Sequence, residues 1–258
     1  MLTKSTIRLI TSLRQRKFRC QEMLFVAEGP RLVGELLPAF KCRLLLATHE
    51  WMVTEGQQWL DKPVQEVTET ELERVSALKT PQQVVALFEI PENNASEQLL
   101  FDSDSLNIAL DDVQDPGNLG TIIRLADWFG VRHIWCSSHT ADVWNPKVVQ
   151  ATMGALARVG VHYVNLPSFL SAVPDECPIY GTSLQGDSLW DMPLDPHGVI
   201  VMGNEGNGLS PEVESYCRKR VLIPNFPVGQ QTTDSLNVAM ATGIVLAEFR
   251  RRQSLHFP

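Results

Sequence analysis

Five polar side chains, Asn118, Arg124, Glu205, Ser235 and Asn237, stand near turns where apolar runs give way to helix-like segments. They lie in three stretches: LDDVQDPGNLGTIIRLADWFGV, VIVMGNEGNGLSPEV, and VLIPNFPVGQQTTDSLNVAMATGIVLAEFRRR. Each stretch joins a strand-like run to a glycine- or asparagine-bearing turn and then to a helical start, the place where open α/β sheets build ligand sites. A carboxylate at Glu205 suits hydrogen bonding to hydroxyls or orienting its neighbours. Arg124 offers a planar fork that can fix a phosphate. Its guanidinium stays protonated and makes a poor general base.

Every one of these residues also has a plainer reading. Asn118 can cap the helix that follows it, and Ser235 or Asn237 can cap the helix VAMATGIVLAEF. Arg124 can lay its aliphatic stem over apolar neighbours, although a cation near a helix N-terminus is disfavoured by the dipole. Glu205 can be a solvated turn residue. A phosphate-cradling loop at GNEGNG is disfavoured, because the Walker lysine is missing and a carboxylate in mid-loop repels phosphate.

The elements that must position these residues alternate along the chain. The first part reads as a helix over 5–16, a strand at 23–28, a helix from Pro30 through Leu37 and a strand at 43–48. A helix near 51–60, a strand at 64–67, an acidic helix near 69–76 and a strand at 83–90 complete it. PENNASEQ (91–98) is a polar, proline-led linker. The second part opens with a strand at 106–113, apolar enough to be buried on both faces. A helix over 119–129, a strand at 133–136, a helix around 147–156 and strands near 161–164 and 178–183 follow. Strands at 199–203 and 221–224 end at the second and third stretches, and a helix over 236–252 closes the chain. This order implies a mostly parallel sheet covered by helices.

Bulk properties narrow the class. A 258-residue chain with 44% hydrophobic and 20% charged residues is ordinary globular composition. No apolar run approaches the roughly 20 residues that span a bilayer, and the N-terminus lacks a signal-peptide core, so a soluble, cytoplasmic protein is expected. Five cysteines without a CxxC pair suggest neither a disulfide framework nor a metal site. Net charge is −8, yet residues 1–43 carry nine Lys and Arg against three Asp and Glu, which leaves −14 for the rest. A basic end on an acidic body focuses polyanion contact there, with Arg14, Arg16, Lys17, Arg19 and Arg31 as its candidates.

The order and wording of the three stretches resemble the motifs of the SpoU/TrmH-type RNA 2′-O-ribose methyltransferases of the SPOUT class. The matching residues are Asn118-Leu119-Gly120 with Arg124, then Gly203-Asn204-Glu205-Gly206-Asn207-Gly208, then Ile223-Pro224 with Ser235-Leu236-Asn237-Val238-Ala239-Met240-Ala241. The resemblance implies a parallel α/β domain over 104–258 with a trefoil knot, preceded by a smaller ribosomal-protein-like α/β domain over 1–92 that binds RNA; FVAEGPRLVGELL matches the latter. It implies catalytic roles for Asn118, Arg124, Glu205, Ser235 and Asn237. S-adenosylmethionine would be held mainly by main-chain groups at Gly203, Ile223 and Leu236. Structured RNA, ribosomal or transfer, is the implied substrate; a homodimer is implied, and neither metal nor membrane. The stretch NFPVGQQTTD departs from the family by its length. A catalytically idle RNA-binding protein of the same fold and a base methyltransferase are the alternatives.

Overall fold

The computed structural model describes residues 1–59, 61–92, 101–227, 230 and 232–254. The linker 91–98 beyond residue 92 and residues 228, 229 and 231 of the long loop lie outside the described residues. Those described fall into two compact units, 1–92 with 142–157 and 101–141 with 158–254.

The first unit begins with α1 (Lys4–Ser12), capped by the Thr3 hydroxyl, which accepts from Thr6 N at 3.1 Å. The helix expected over 5–16 is two helices. Thr11 and Ser12 turn their hydroxyls back onto Ile7 O and Leu9 O, at 2.8 and 2.7 Å, as α1 ends, and α2 (Arg16–Glu22) starts afresh. The strands are β1 (Leu24–Glu28), β2 (Cys42–Ala47), β3 (Val64–Glu66) and β4 (Val84–Glu89), in the order β1-β4-β2-β3. β4 runs antiparallel to both neighbours, and β2 and β3 are parallel. Between the strands lie α3 (Pro30–Leu36), α4 (His49–Thr54) and α5 (Glu69–Glu73), the last with a capping box between Thr68 and Glu71. Ile10 and Leu13 pack with Leu24, Val26, Leu46 and Leu87 in its core.

The second unit is a six-stranded sheet, parallel throughout: β5 (Leu106–Leu110), β6 (His133–Cys136), β7 (Gly160–Tyr163), β8 (Ile179–Ser188), β9 (Gly198–Met202) and β10 (Lys219–Leu222). Their order is β10-β8-β9-β5-β6-β7. β5 and β9 are buried along their whole lengths, as their apolar runs require. The one polar residue of β5, Asn107, is satisfied by donating to Asp102 O and Ser105 O and accepting from Trp135 Nε1. β8 outruns the expected 178–183. Its ladder with β10 jumps from Gly181 to Asp187, so residues 182–186 arch out of the pairing. The helices are α6 (Pro116–Trp128), α8 (Leu166–Ser171), α9 (Pro211–Glu214) and α10 (Val238–Ser254), and α10 packs on α6.

The stretch 142–157, which the sequence places with the second domain, packs in the first unit and carries α7 (Pro146–Thr152). Trp144 lies 4.7 Å from the Phe25 ring and 5.9 Å from Phe40, centroid to centroid. Asp142 pairs with Arg19 at 2.5 Å, and Val148 and Val149 are fully buried.

Candidate active site

Because the sheet of the second unit is parallel, the turns after β5, β9 and β10 emerge on one edge. After β5, Pro116 occupies the first turn of α6 and Asp115 caps it, accepting from Asn118 N at 2.8 Å. The cap expected at Asn118 is therefore Asp115, and Asn118 sits inside the first turn with its side chain released for other work.

That work is a relay. Asn118 Nδ2 donates to Glu205 Oε1 at 2.9 Å, and Asn118 Oδ1 accepts from Asn237 Nδ2 at 2.9 Å. Asn237 meanwhile caps α10, accepting from Ala239 N and Met240 N at 3.0 and 3.2 Å. Glu205 also accepts from Gln114 N and Asp115 N, each at 3.3 Å. Burial pushes its carboxyl up, but the Asn118 amide and the backbone N–H groups outweigh that and hold it below the ordinary range. Glu205 is thus an anion held by the first motif and linked to the third through Asn118, and the solvated-turn reading fails. Both amide orientations are set by this network.

The Gly-rich loop is shaped for this. Asn204 Oδ1 accepts from Gly206 N and Asn207 N at 2.9 and 3.0 Å, and Asn204 pairs with Gly208 in a tight bridge. A Cβ on Gly203 would fall 2.3 Å from the Gly208 carbonyl carbon, so only glycine fits. Asn204, Asp115 and Gln114 escaped the sequence reading. Asp-Pro ahead of a helix was the available signal for Asp115.

The other candidates are placed differently. Ser235 is exposed and without a hydrogen-bond partner among the described residues. Arg124 stands a little over two turns into α6, well past the reach of the helix terminus, so the dipole argument against it falls away. It is exposed, also without a partner, and six residues from Asn118, about 120° around the helix. It shares that stripe with Thr121 and with Trp128, 84% exposed. Gly203 and Ile223 follow β9 and β10, with the 182–186 arch of β8 between those two strands in the sheet. Leu236, half-exposed, precedes Asn237. These turns fit S-adenosylmethionine: close backbone for the polar parts, exposed Leu184 and Leu236 for an apolar one.

Of the basic candidates in the first unit, Arg16, Lys17 and Arg31 are exposed, and Arg14 is exposed while bonding Val75 O and Ser76 O. Arg19 is a correction. It is buried, ion-paired with Asp142 and donating to Leu13 O at 2.7 Å, so it is committed to the fold and offers nothing to RNA.

Comparison with known proteins gives the family. The model of the SpoU rRNA methylase family matches residues 105–247, and that of the MRM3-like substrate binding domain matches 4–86. The chain belongs to the SpoU family. It is 31% identical over 245 residues, 92% of the chain and 93% of the relative, to the 23S rRNA (guanosine(2553)-2′-O)-methyltransferase RlmP of Bacillus subtilis. Its fold matches a TrmH-family protein from Porphyromonas gingivalis at 42% identity and TM-score 0.87, covering 98% of this chain and 99% of that one. It also matches the AdoMet-bound rRNA methyltransferase of Sinorhizobium meliloti at 31% identity and TM-score 0.85, covering 98% and 96%. The chain is an S-adenosylmethionine-dependent RNA 2′-O-ribose methyltransferase. Among the described residues, no helix is long and apolar enough to cross a membrane, and no cluster of three metal-ligating side chains exists.

Proposed function

We propose that this enzyme methylates a ribose of ribosomal RNA in the cytoplasm, using Asn118, Glu205, Ser235 and Asn237 of one subunit with Arg124 of a second. The relay joining Glu205, Asn118 and Asn237 carries the reading. Each amide has one hydrogen left after its bond in the relay, and Ser235 has its hydroxyl, so a ribose oxygen finds donors already oriented. The anionic Glu205 anchors the relay. S-adenosylmethionine supplies an electrophilic methyl group on a sulfonium centre; Gly203, Ile223 and Leu236 would hold it, and the protein's part is alignment and shielding.

A ribosomal target is supported by full-length similarity to the Bacillus subtilis enzyme, whose name gives 23S rRNA. In this reading residues 1–92 grip RNA, chiefly through Arg14, Arg16, Lys17 and Arg31, and residues 104–258 carry out the transfer. Dimerisation is supported by exposed Trp128 on α6 and exposed Met240 on α10, which packs on α6, and by Arg124, one turn before Trp128, exposed and without a partner among the described residues. A trefoil knot is supported by the path of the C-terminal segment. It leaves β10 at the far edge beside β8, yet packs α10 on α6 and reaches Leu189, Trp190 and Met192 carbonyls through Arg252.

Mapping ribose methylation in total RNA with and without the gene tests the target. Loss of one ribosomal 2′-O-methyl group is expected. Loss of a transfer-RNA mark, or of a base methyl group, would replace the reading. Mixed dimers test the shared site: pairing Arg124→Ala with Asn237→Ala should restore one intact site and about half the activity of wild type, whereas a site built within one subunit gives none.

A further inference from the structure

We infer that Asp112 is a positioning residue for methyl transfer: its left-handed backbone turn, locked by Ser137, aims the Gln114 and Asp115 N–H groups at Glu205. The inference rests on Glu205 acting in the site.

Asp112 has φ 58, a conformation that side chains other than glycine, asparagine and aspartate rarely adopt. It is held from every side. Its N–H donates to Ser137 Oγ at 2.8 Å, and the Ser137 hydroxyl returns a bond to Asp112 Oδ1 at 2.5 Å. His139 Nδ1 lies 3.5 Å from Oδ2. Ser137 is itself braced by Thr140, whose hydroxyl lies 3.1 Å away and donates to Leu110 O.

The turn also governs the loop that carries Glu205. The Asp112 carbonyl accepts from Asn204 Nδ2 at 2.7 Å, and the Asp111 carboxylate accepts from Ser210 N at 2.7 Å. The chain leaving β5 therefore grips the Gly-rich loop at both ends and presents two N–H groups to the carboxylate between them. An unwound turn would rotate those N–H groups away, and Glu205 would lose two of its donors while Asn118 lost its anchor. Nothing in this set touches the substrate; its action is through Glu205. Backbone strain of this kind persists only where the surroundings over-determine it, and it clusters at functional sites.

The test is the titration of Glu205 in the cofactor-free protein, followed by carboxyl carbon resonances, together with steady-state kinetics. Ser137→Ala removes both locking bonds with little change of shape. It should raise the Glu205 midpoint by about one pH unit and lower kcat about tenfold to a hundredfold. Affinity for S-adenosylmethionine and the KM for RNA should stay as they are. Asp112→Asn, which tolerates the left-handed turn and still accepts from Ser137, should keep kcat within about threefold. Asp112→Val cannot hold the turn and should behave like Ser137→Ala or worse; should it fail to fold, Ser137→Ala decides. A merely structural role would lower Tm and leave the Glu205 midpoint of the folded protein alone. An unmoved midpoint in Ser137→Ala overturns the proposal. A moved midpoint with unchanged kcat overturns instead the role given to Glu205, which Glu205→Gln measures separately.

Discussion

At the amino ends of β8 and β10, Tyr180, Asp195 and Lys219 form a polar cluster. The Tyr180 hydroxyl donates to Asp195 at 2.6 Å, and Lys219 bonds the same carboxylate at 2.8 Å while lying over the Tyr180 ring. On β6 and β7, His133 and His162 meet at 3.1 Å beside Trp135. At the carboxyl edge of the same sheet, Glu205, Asn118 and Asn237 form a cluster of similar size. The groups of these two clusters bond to one another and stitch strands together. The carboxyl-edge groups hold donors in reserve, with Ser235 and Arg124 nearby in sequence and without partners among the described residues. A polar network therefore does not by itself mark a site; uncommitted hydrogen-bonding capacity at a rigid strand end does.

The sharpest way to break that contrast is Arg124→Ala. It should reduce methyl transfer by about a thousandfold or more, as losing a charge that stabilises the transition state does, while thermal stability and S-adenosylmethionine affinity stay put. Arg124→Lys should not restore turnover, because a point charge cannot reproduce the fork. Near-normal turnover by the lysine variant, read as tritiated methyl transfer to RNA, would remove the forked contact from the mechanism. Glu205→Gln comes next. It keeps size and hydrogen bonding but loses the charge, and turnover should fall by roughly tens- to a thousandfold. Unchanged kinetics would make the carboxyl edge as purely structural as the amino edge.

The basic residues of the first unit divide the same way. Replacing Arg16, Lys17 and Arg31 by glutamine should weaken RNA binding and flatten its salt dependence by roughly one unit of log–log slope per lost contact. Arg19→Ala should instead destabilise the fold by about 3–5 kcal/mol, since it leaves Asp142 without its buried partner. Denaturant titration and RNA binding at several salt concentrations separate the two; an exchange of those effects would contradict the assignment of Arg19.

The smallest effect belongs to the histidine pair on β6 and β7. Burial, with the neighbouring His133, pulls the His162 imidazole down to about 4. A depressed histidine stabilises the fold fully above its ordinary value of 6.5, and that contribution is lost as pH falls toward 4. His162→Phe should flatten the acid limb of the stability curve by about 2 kcal/mol and leave turnover at neutral pH unchanged. An identical acid limb would contradict the depression of His162 by burial.

How far the sequence reaches is visible in these same residues. Strands β5 and β9 and the turns after them are legible because burial on both faces writes itself as an apolar run; β10, at the sheet edge and only partly buried, shows only in the short run from Val221. Pro116 carries the signal for the true start of α6 and the cap at Asp115, but the helix expected from the sequence begins at 119 and takes Asn118 as its possible cap. What the sequence could not show is any bond across distance. Asn118 meets Glu205 and Asn237 from 87 and 119 residues away, and Arg19 meets Asp142 from 123 residues away. Arg19 looks like its exposed neighbours on paper, because its local pattern carries no sign of the carboxylate that buries it. For the same reason the helix at 146–152 reads as part of the second domain, and only packing assigns it to the first.

Asn118→Ala tests the relay most directly, because Asn118 is the side chain that joins Glu205 to Asn237. Methyl transfer to ribosomal RNA and S-adenosylmethionine affinity should be measured on the same preparation. The expected result is a loss of turnover of about a hundredfold or more, with cofactor affinity within about twofold and the α10 cap intact, since Asn237 Oδ1 keeps its own bonds to Ala239 and Met240. Turnover within about threefold of wild type would show that the three motifs meet at this edge for architecture alone.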